Sequence, residues 1–239
     1  MGQLQCLLPY PSAHAGALRS QIVGGHEAKP HSRPYMAALK VFGDFSCGGF
    51  RVAPDWVMTA AHCMGNITVR LGAHNYHAPE ASQQMFAVES YHLHPEYMVP
   101  YNDILLLKET GLSHKANLNK YVQVIPLPKS GNDLPVDTKC LVSGWGLIDA
   151  EVATKKLFET NAAVLSRRKC LMFYPALSSG MVCAASYHQL SDINFGDSGG
   201  PLVCNGEAQG IVSYGFQFPP SVYTRIAHYL PWIQKPMGQ

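Results

Sequence analysis

The sequence predicts an all-β fold, a sandwich or a barrel, on three observations. From Ile22 onward, short apolar runs punctuated by Gly, Pro and Asn recur at strand length, roughly 10–20 residues apart. No run reaches the roughly 18 consecutive apolar residues of a membrane-crossing helix. The 239 residues are 47% hydrophobic and 14% charged, enough apolar material for one large or two small cores and far from a disordered composition.

Taken in order, residues 1–21 stand outside this pattern. Cys6-Leu7-Leu8 is soon broken by Pro9 and Pro11, short of the apolar run of about 7–15 residues in a secretory leader. Met1-Gly2 invites a myristoylation reading, but position 6 is Cys where that signal carries Ser or Thr. The segment reads as a pro-region or a non-standard start. In the first half, strands are expected over 35–42, 56–58, 67–71, 85–88 and 104–107. In the second they are expected over 121–127, 140–143, 162–165, 181–184, 201–203 and 209–213. Residues 117–131 bridge the halves, and no repeat of fixed period is present. Ile226, Leu230 and Ile233 recur at helical spacing, and Pro231 fits only a first turn, so a short helix is expected over 228–235, docked on the second half.

Charge and cysteines exclude several classes. Lys plus Arg number 18 against 16 acids, a net charge of +2 spread along the chain, so no nucleic-acid surface is expected. The seven cysteines lack the close Cys-x-x-Cys pairs of a zinc site. Six of them are enough for three disulfides, which points to an oxidising compartment and leaves Cys6 over. His26-Glu27 fails the His-Glu-x-x-His pattern because Pro30 stands where the second histidine belongs. His92-Leu93-His94 lacks a third ligand, and no metal or other cofactor is expected.

Three stretches carry chemistry. In Phe195-Gly196-Asp197-Ser198-Gly199-Gly200-Pro201, a serine sits among glycines that allow close backbone approach and positive φ. Alone, that pattern also fits a polar surface turn. In Thr59-Ala60-Ala61-His62-Cys63, a histidine suited to general base work near neutral pH follows a strand-like run, though a lone histidine also fits a packed side chain. In Asn102-Asp103-Ile104, one acid enters a very apolar strand, where a carboxylate is unfavourable unless partnered. A buried acid accepting a hydrogen bond from His62 would fix the imidazole tautomer. Gly196-x-Ser198-x-Gly200 also matches the nucleophile elbow of α/β-hydrolases, whose order is serine, acid, histidine. After Ser198 there is no Asp and His228 is the only histidine, so that reading fails. The order histidine, aspartate, serine is that of the chymotrypsin arrangement.

With Ile22-Val23-Gly24-Gly25, Gly144-Trp145-Gly146 and Ser213-Tyr214-Gly215, these motifs resemble the trypsin/chymotrypsin family of serine proteases from Ile22 to about residue 235. Residues 26–36 and 71–75 resemble, within that family, the leukocyte and mast-cell granule proteases: granzymes, cathepsin G, chymases and elastase-like enzymes.

The resemblance implies two six-stranded antiparallel β-barrels, over about 22–125 and 126–227, with the site in the cleft between them and a helix at 228–235. It implies a secreted or granule zymogen, monomeric, acting on protein or peptide substrates. Serpin-type inhibitors and weak glycosaminoglycan binding go with that group. Ser198 would be the nucleophile, His62 the proton shuttle and Asp103 the orienting acid. The N–H groups of Gly196 and Ser198 would form the oxyanion hole, each donor worth roughly 3–4 kcal/mol in the transition state. Cleavage before Ile22 would free an amino group to pair with Asp197, although Ser20-Gln21 precedes the cut where the family carries a charged residue. The implied disulfides are Cys47–Cys63, Cys140–Cys204 and Cys170–Cys183. Substrate contacts would come from Phe195, from the strand Ser213-Tyr214-Gly215, from Ser221 and from Asp192 at the pocket floor, favouring Arg or Lys before the scissile bond. Asn194 in place of the family's further cysteine, and a short loop at 216–220, leave a chymase- or elastase-like preference as the alternative. Asn66-Ile67-Thr68 is a glycosylation sequon. A different class also stays open: a catalytically silent or zymogen-locked relative acting as an antimicrobial or glycosaminoglycan-binding protein.

Overall fold

A strand with one face in a core buries every second side chain. Ile67–Leu71 does so, with Ile67, Val69 and Leu71 buried and Thr68 and Arg70 half-buried. The computed structural model, which describes residues 25–110, 117–149, 152–186, 197–215 and 220–238, closes such strands into two barrels. After the short β1 (His26–Glu27), the first barrel is built from β2 (Met36–Val41), β3 (Asp44–Ala53), β4 (Trp56–Thr59), β5 (Ile67–Leu71), β6 (Gln84–Leu93) and β7 (Leu105–Thr110). The pairing order is β2-β3-β4-β7-β6-β5, every pair is antiparallel, and β5 returns to β2 through the Ala37↔Leu71 to Val41↔Ile67 register.

The second barrel begins with β8 (Lys139–Gly144). A small hairpin of β9 (Leu147–Asp149) and β10 (Val152–Ala153) precedes β11 (Phe158–Val164), and the helix α1 (Arg167–Leu171) leads to β12 (Met181–Ser186). β13 (Pro201–Cys204), β14 (Glu207–Gly215) and β15 (Ser221–Arg225) complete the set. The order β11-β12-β15-β14-β13-β8 closes because β8 also pairs with β11. β1 joins this second sheet at the edge of β11, although its residues belong to the stretch expected to open the first half.

Each barrel is filled by its own inward residues. Leu39, Phe50, Val57, Val69, Leu71 and Ile104 fill the first, and Val142, Val164, Leu202, Val212 and Tyr223 the second. Burying each such side chain is worth roughly 1.5–3 kcal/mol. One charged pair breaks the apolar pattern of the first barrel. Arg51 on β3 and Glu109 on β7 are both buried, with Arg51 Nη2 3.9 Å from Glu109 Oε2. Neither Glu109 oxygen accepts a hydrogen bond among the described residues. Burial, only partly offset by Arg51 and reinforced by Asp55, pushes the Glu109 carboxyl up to about 7.

Two expectations need correction. Residues 121–127 form no strand; they run as an extended bridge that donates Ile125 N–H to the Arg51 carbonyl and Gln123 N–H to Pro34. The C-terminal helix is α2 (Ile226–Met237), longer than 228–235, and Pro231 and Pro236 both lie inside it. Nor does α2 dock on the second half alone. Ile226, Tyr229 and Ile233 join the apolar cluster of the first barrel together with Ala208 and Ile211, and Tyr229 and Trp232 pack against His94. Burial of this face against both barrels accounts for a helix that tolerates two prolines.

Candidate active site

The site is assembled where the barrels meet. β4 runs into a single 3-10 turn, Ala61–Cys63, that carries His62, while Cys63 is tied to Cys47 on β3. The small residues Ala60 and Ala61 are buried and His62 projects partly exposed. Asp103 sits just ahead of β7, 4% exposed, held by three elements. Its Oδ1 accepts the His62 backbone N–H at 3.0 Å, and its Oδ2 faces His62 Nδ1 at 2.8 Å. From the second barrel, Ser213 Oγ donates to the same Oδ2 at 2.5 Å, and Thr224 Oγ1 donates to the Asp103 carbonyl at 2.7 Å. Burial works against the Asp103 carboxylate, but the bonds and charge of His62 and the Ser213 hydroxyl outweigh it, holding the carboxyl below its ordinary value. An ionised carboxylate only accepts, so Nδ1 carries the ring hydrogen and Nε2 is left as the acceptor.

The Ser198 segment is strapped to both barrels. Gly48 N–H of β3 donates to the Ser198 carbonyl at 2.8 Å, and Gly199 N–H donates to Val212 of β14 at 2.9 Å. Cys63 Sγ, one residue beyond His62, lies 3.7 Å from that same Ser198 carbonyl, so Ser198 and His62 share one corner of the cleft. Gly199 has φ +82°, and a Cβ there would stand 2.1 Å from Thr59 Oγ1 and 2.6 Å from the Gly48 carbonyl, so only glycine fits. Asp197 is fully buried; Gly146 N–H donates to its Oδ1 at 2.9 Å. A Cβ on Gly144 would fall 1.8 Å from that oxygen, which is the physical reason Trp145 is flanked by glycines.

Beside His62, a hollow of about 140 Å³ is lined by Tyr97, Val99, Pro100, Asp103, Ser213 and Tyr214. Burial, with Tyr174 and Tyr101 nearby, pushes the Tyr214 hydroxyl up to about 12, so this wall stays neutral. Gly215 pairs with the buried Ser221 across β14 and β15. The structure therefore brings His62, Asp103, Ser198, Ser213 and Tyr214 around one cleft, with Gly215 and Ser221 continuing along the strand pair that leaves it. Ile22, Asp192, Phe195 and Gly196 lie outside the described residues. The disulfides are Cys47–Cys63, Cys140–Cys204 and Cys170–Cys183. His92 and His94 do not converge: His92 bonds Ser90 and tilts against Trp56, while His94 meets Tyr229 and Trp232. Among the described residues, the one His/Cys/carboxylate cluster is Cys47, His62 and Cys63, and its sulfurs are spent in a disulfide.

Sequence reasoning missed the supports. Gly48, Thr224 and the Tyr97–Val99–Pro100 wall carry no motif, although Gly48 directly follows a cysteine tied to the histidine turn. Asn102 enters the sequence motif only as a neighbour of Asp103, yet at φ 55° it accepts from Tyr229 of α2 at 3.0 Å and donates to the Glu96 carbonyl.

Two six-stranded antiparallel barrels with a buried aspartate–histidine pair and a strapped serine between them define a serine protease of the two-barrel class. The chain belongs to the trypsin family, whose model, described as Trypsin, matches residues 22–233. It is 44% identical to Mast cell protease 3 of Ovis aries, over 96% of this chain and 92% of that protein. It is 45% identical to Duodenase-1 of Bos taurus, over 95% and 92%, and 41% identical to Cathepsin G of Homo sapiens, over 93% and 89%.

Proposed function

We propose that this protease is an endopeptidase that cuts through an acyl-enzyme on Ser198. The Ser198 hydroxyl attacks the scissile carbonyl while His62 Nε2 takes its proton, and the imidazolium then delivers that proton to the leaving amine. A water, activated by the same nitrogen, releases the acid product and restores Ser198. Asp103 keeps the hydrogen on Nδ1 throughout and stabilises the charged ring. The N–H groups of Gly196 and Ser198 are assigned to the developing oxyanion. The observation that carries this reading is the twofold hold of a buried Asp103 on His62, backbone and ring together.

The catalytic unit spans 22–235, and cleavage ahead of Ile22 makes it competent by freeing an amino group for Asp197. The complete burial of Asp197 against Gly144 and Gly146 supports that role, since a buried carboxylate demands close polar partners. Asp192 selects Arg or Lys before the scissile bond, a chymase- or elastase-like preference being the alternative. Three disulfides and relatives named as mast cell protease and cathepsin G support secretion or granule storage, with Asn66, exposed at the turn before β5, as the glycan acceptor. Protein and peptide chains are the substrates, serpin-type proteins the inhibitors, glycosaminoglycan contact weak, and the working form a monomer.

Fluorophosphonate labelling before and after an engineered cut ahead of Ile22 tests the reading. Labelling only after the cut supports the zymogen. Labelling in neither state refutes catalysis and favours the silent relative. A peptide library follows, and absence of cleavage after Arg or Lys refutes the role of Asp192.

A further inference from the structure

Away from the cleft floor, the helix α1 ends in an exposed apolar tip. Leu171 is 39% exposed, Met172 79% and Phe173 50%, in succession, separated from the exposed cations Arg168 and Lys169 only by the buried Cys170. Between Leu165 and Gly180 the chain carries three cations and no carboxylate. Arg167 is occupied internally by the carbonyls of Ser178 and Met181, which leaves Arg168 and Lys169 as the outward charges. The tip is built rigidly. Cys170, fully buried, is bonded to Cys183, Met172 N–H donates to Lys169, and Phe173 and Tyr174 N–H both donate to Cys170. Tyr174 is anchored by its hydroxyl to the Pro220 carbonyl at 2.6 Å. A fixed backbone that holds three large apolar side chains in water beside paired cations gains nothing within the monomer.

We propose that this tip docks the enzyme on an anionic phospholipid surface, Met172 and Phe173 entering the headgroup boundary while Arg168 and Lys169 meet lipid phosphates and carboxylates. Both halves of the feature are used by that partner: apolar insertion and surface potential act together in interfacial anchors. A sulfated glycan would use the cations and leave Met172 and Phe173 unexplained. The placement matters for catalysis. The Tyr174 ring meets the Tyr214 ring edge-on at 5.5 Å, and Tyr214 lines the hollow beside His62. Docking through the tip therefore holds that end of the cleft near the lipid and presents it to membrane-attached chains.

The test is co-sedimentation of the full chain with vesicles of equal parts phosphatidylserine and phosphatidylcholine, against phosphatidylcholine alone and against immobilised heparin. The expected result is binding to the anionic vesicles and not to phosphatidylcholine alone, with no more than weak capture by heparin. It should weaken about tenfold or more in M172S/F173S, and about fivefold per cation removed in R168Q and K169Q. F173W should shift its emission to the blue on adding anionic vesicles. Unchanged thermal midpoints certify that the variants fold. No vesicle binding overturns the proposal. Binding that R168Q/K169Q abolishes and M172S/F173S leaves intact, with retained heparin capture by M172S/F173S, overturns it in favour of a purely ionic glycan surface.

Discussion

Replacing Asp103 by asparagine isolates what the carboxylate does. The side chains are isosteric, so packing around a residue 4% exposed is kept. Three donors converge on the two oxygens: the His62 backbone N–H on Oδ1, and His62 Nδ1 with Ser213 Oγ on Oδ2. Asparagine has one oxygen. If that oxygen keeps the backbone bond, its NH₂ faces Nδ1, which must then accept, and the ring hydrogen moves to Nε2. A histidine in that tautomer cannot take the proton of Ser198. Loss of the correct tautomer in a Ser–His–Asp triad is worth about 10⁴ in kcat, about 5.5 kcal/mol. The alternative flip saves the tautomer only by setting NH₂ against the His62 amide, a donor facing a donor. Steady-state hydrolysis of a chromogenic peptide by activated D103N at neutral pH should show kcat down about 10⁴ with KM little changed, since the acid touches no substrate. A folded D103N within about tenfold of the parent rate would refute the tautomer argument.

The remaining predictions test the supports. Ser213→Ala removes a hydrogen bond to a charged group, worth roughly 1.5–3 kcal/mol, and should lower both kcat and stability at neutral pH. Asp103 has a depressed folded pKa, so its stabilisation is present above the unfolded value and fades as pH falls through the folded one; in S213A that contribution should shrink, read from urea unfolding across the acid range. Gly199→Ala would place Cβ 2.1 Å from Thr59 Oγ1 at φ +82°, so soluble expression or the unfolding midpoint should collapse, and activity with it. Glu109 has the opposite sign: raised from 4.5 to about 7, it stabilises below the lower value and loses that contribution as pH rises through about 7. Against Glu109→Gln, the parent should lose about 3 kcal/mol at most over that window, and equal slopes in calorimetry would contradict the burial argument.

Strand positions were legible where a run was almost continuously apolar, as in β4 and β7, or alternated, as in β5, because burial on barrel strands writes itself into composition and period. β3 is not legible in the sequence because Gly48-Gly49 interrupts it like a turn, whereas Gly48 serves as the contact to Ser198. β15 was hidden by the prolines ahead of it and by its mixed Ser-Val-Tyr-Thr-Arg sequence. The length of α2 is not legible because Pro231 reads as a first-turn residue, and no local rule foretells a helix held by both barrels. For the site, chain order singled out His62, Asp103 and Ser198, and the structure brings them to one corner. The resemblance implies only a substrate strand at Ser213, and its hydroxyl bond to Asp103 has no local signal, for it joins residues 110 apart in sequence.

Trapping the acyl-enzyme tests the central claim most directly. The activated chain is mixed briefly with an activated ester, quenched in acid and digested, and the adduct is mapped by mass spectrometry. The mechanism predicts one acyl group on Ser198, lost in H62A. An unmodified Ser198, or an adduct that forms equally well without His62, would contradict it.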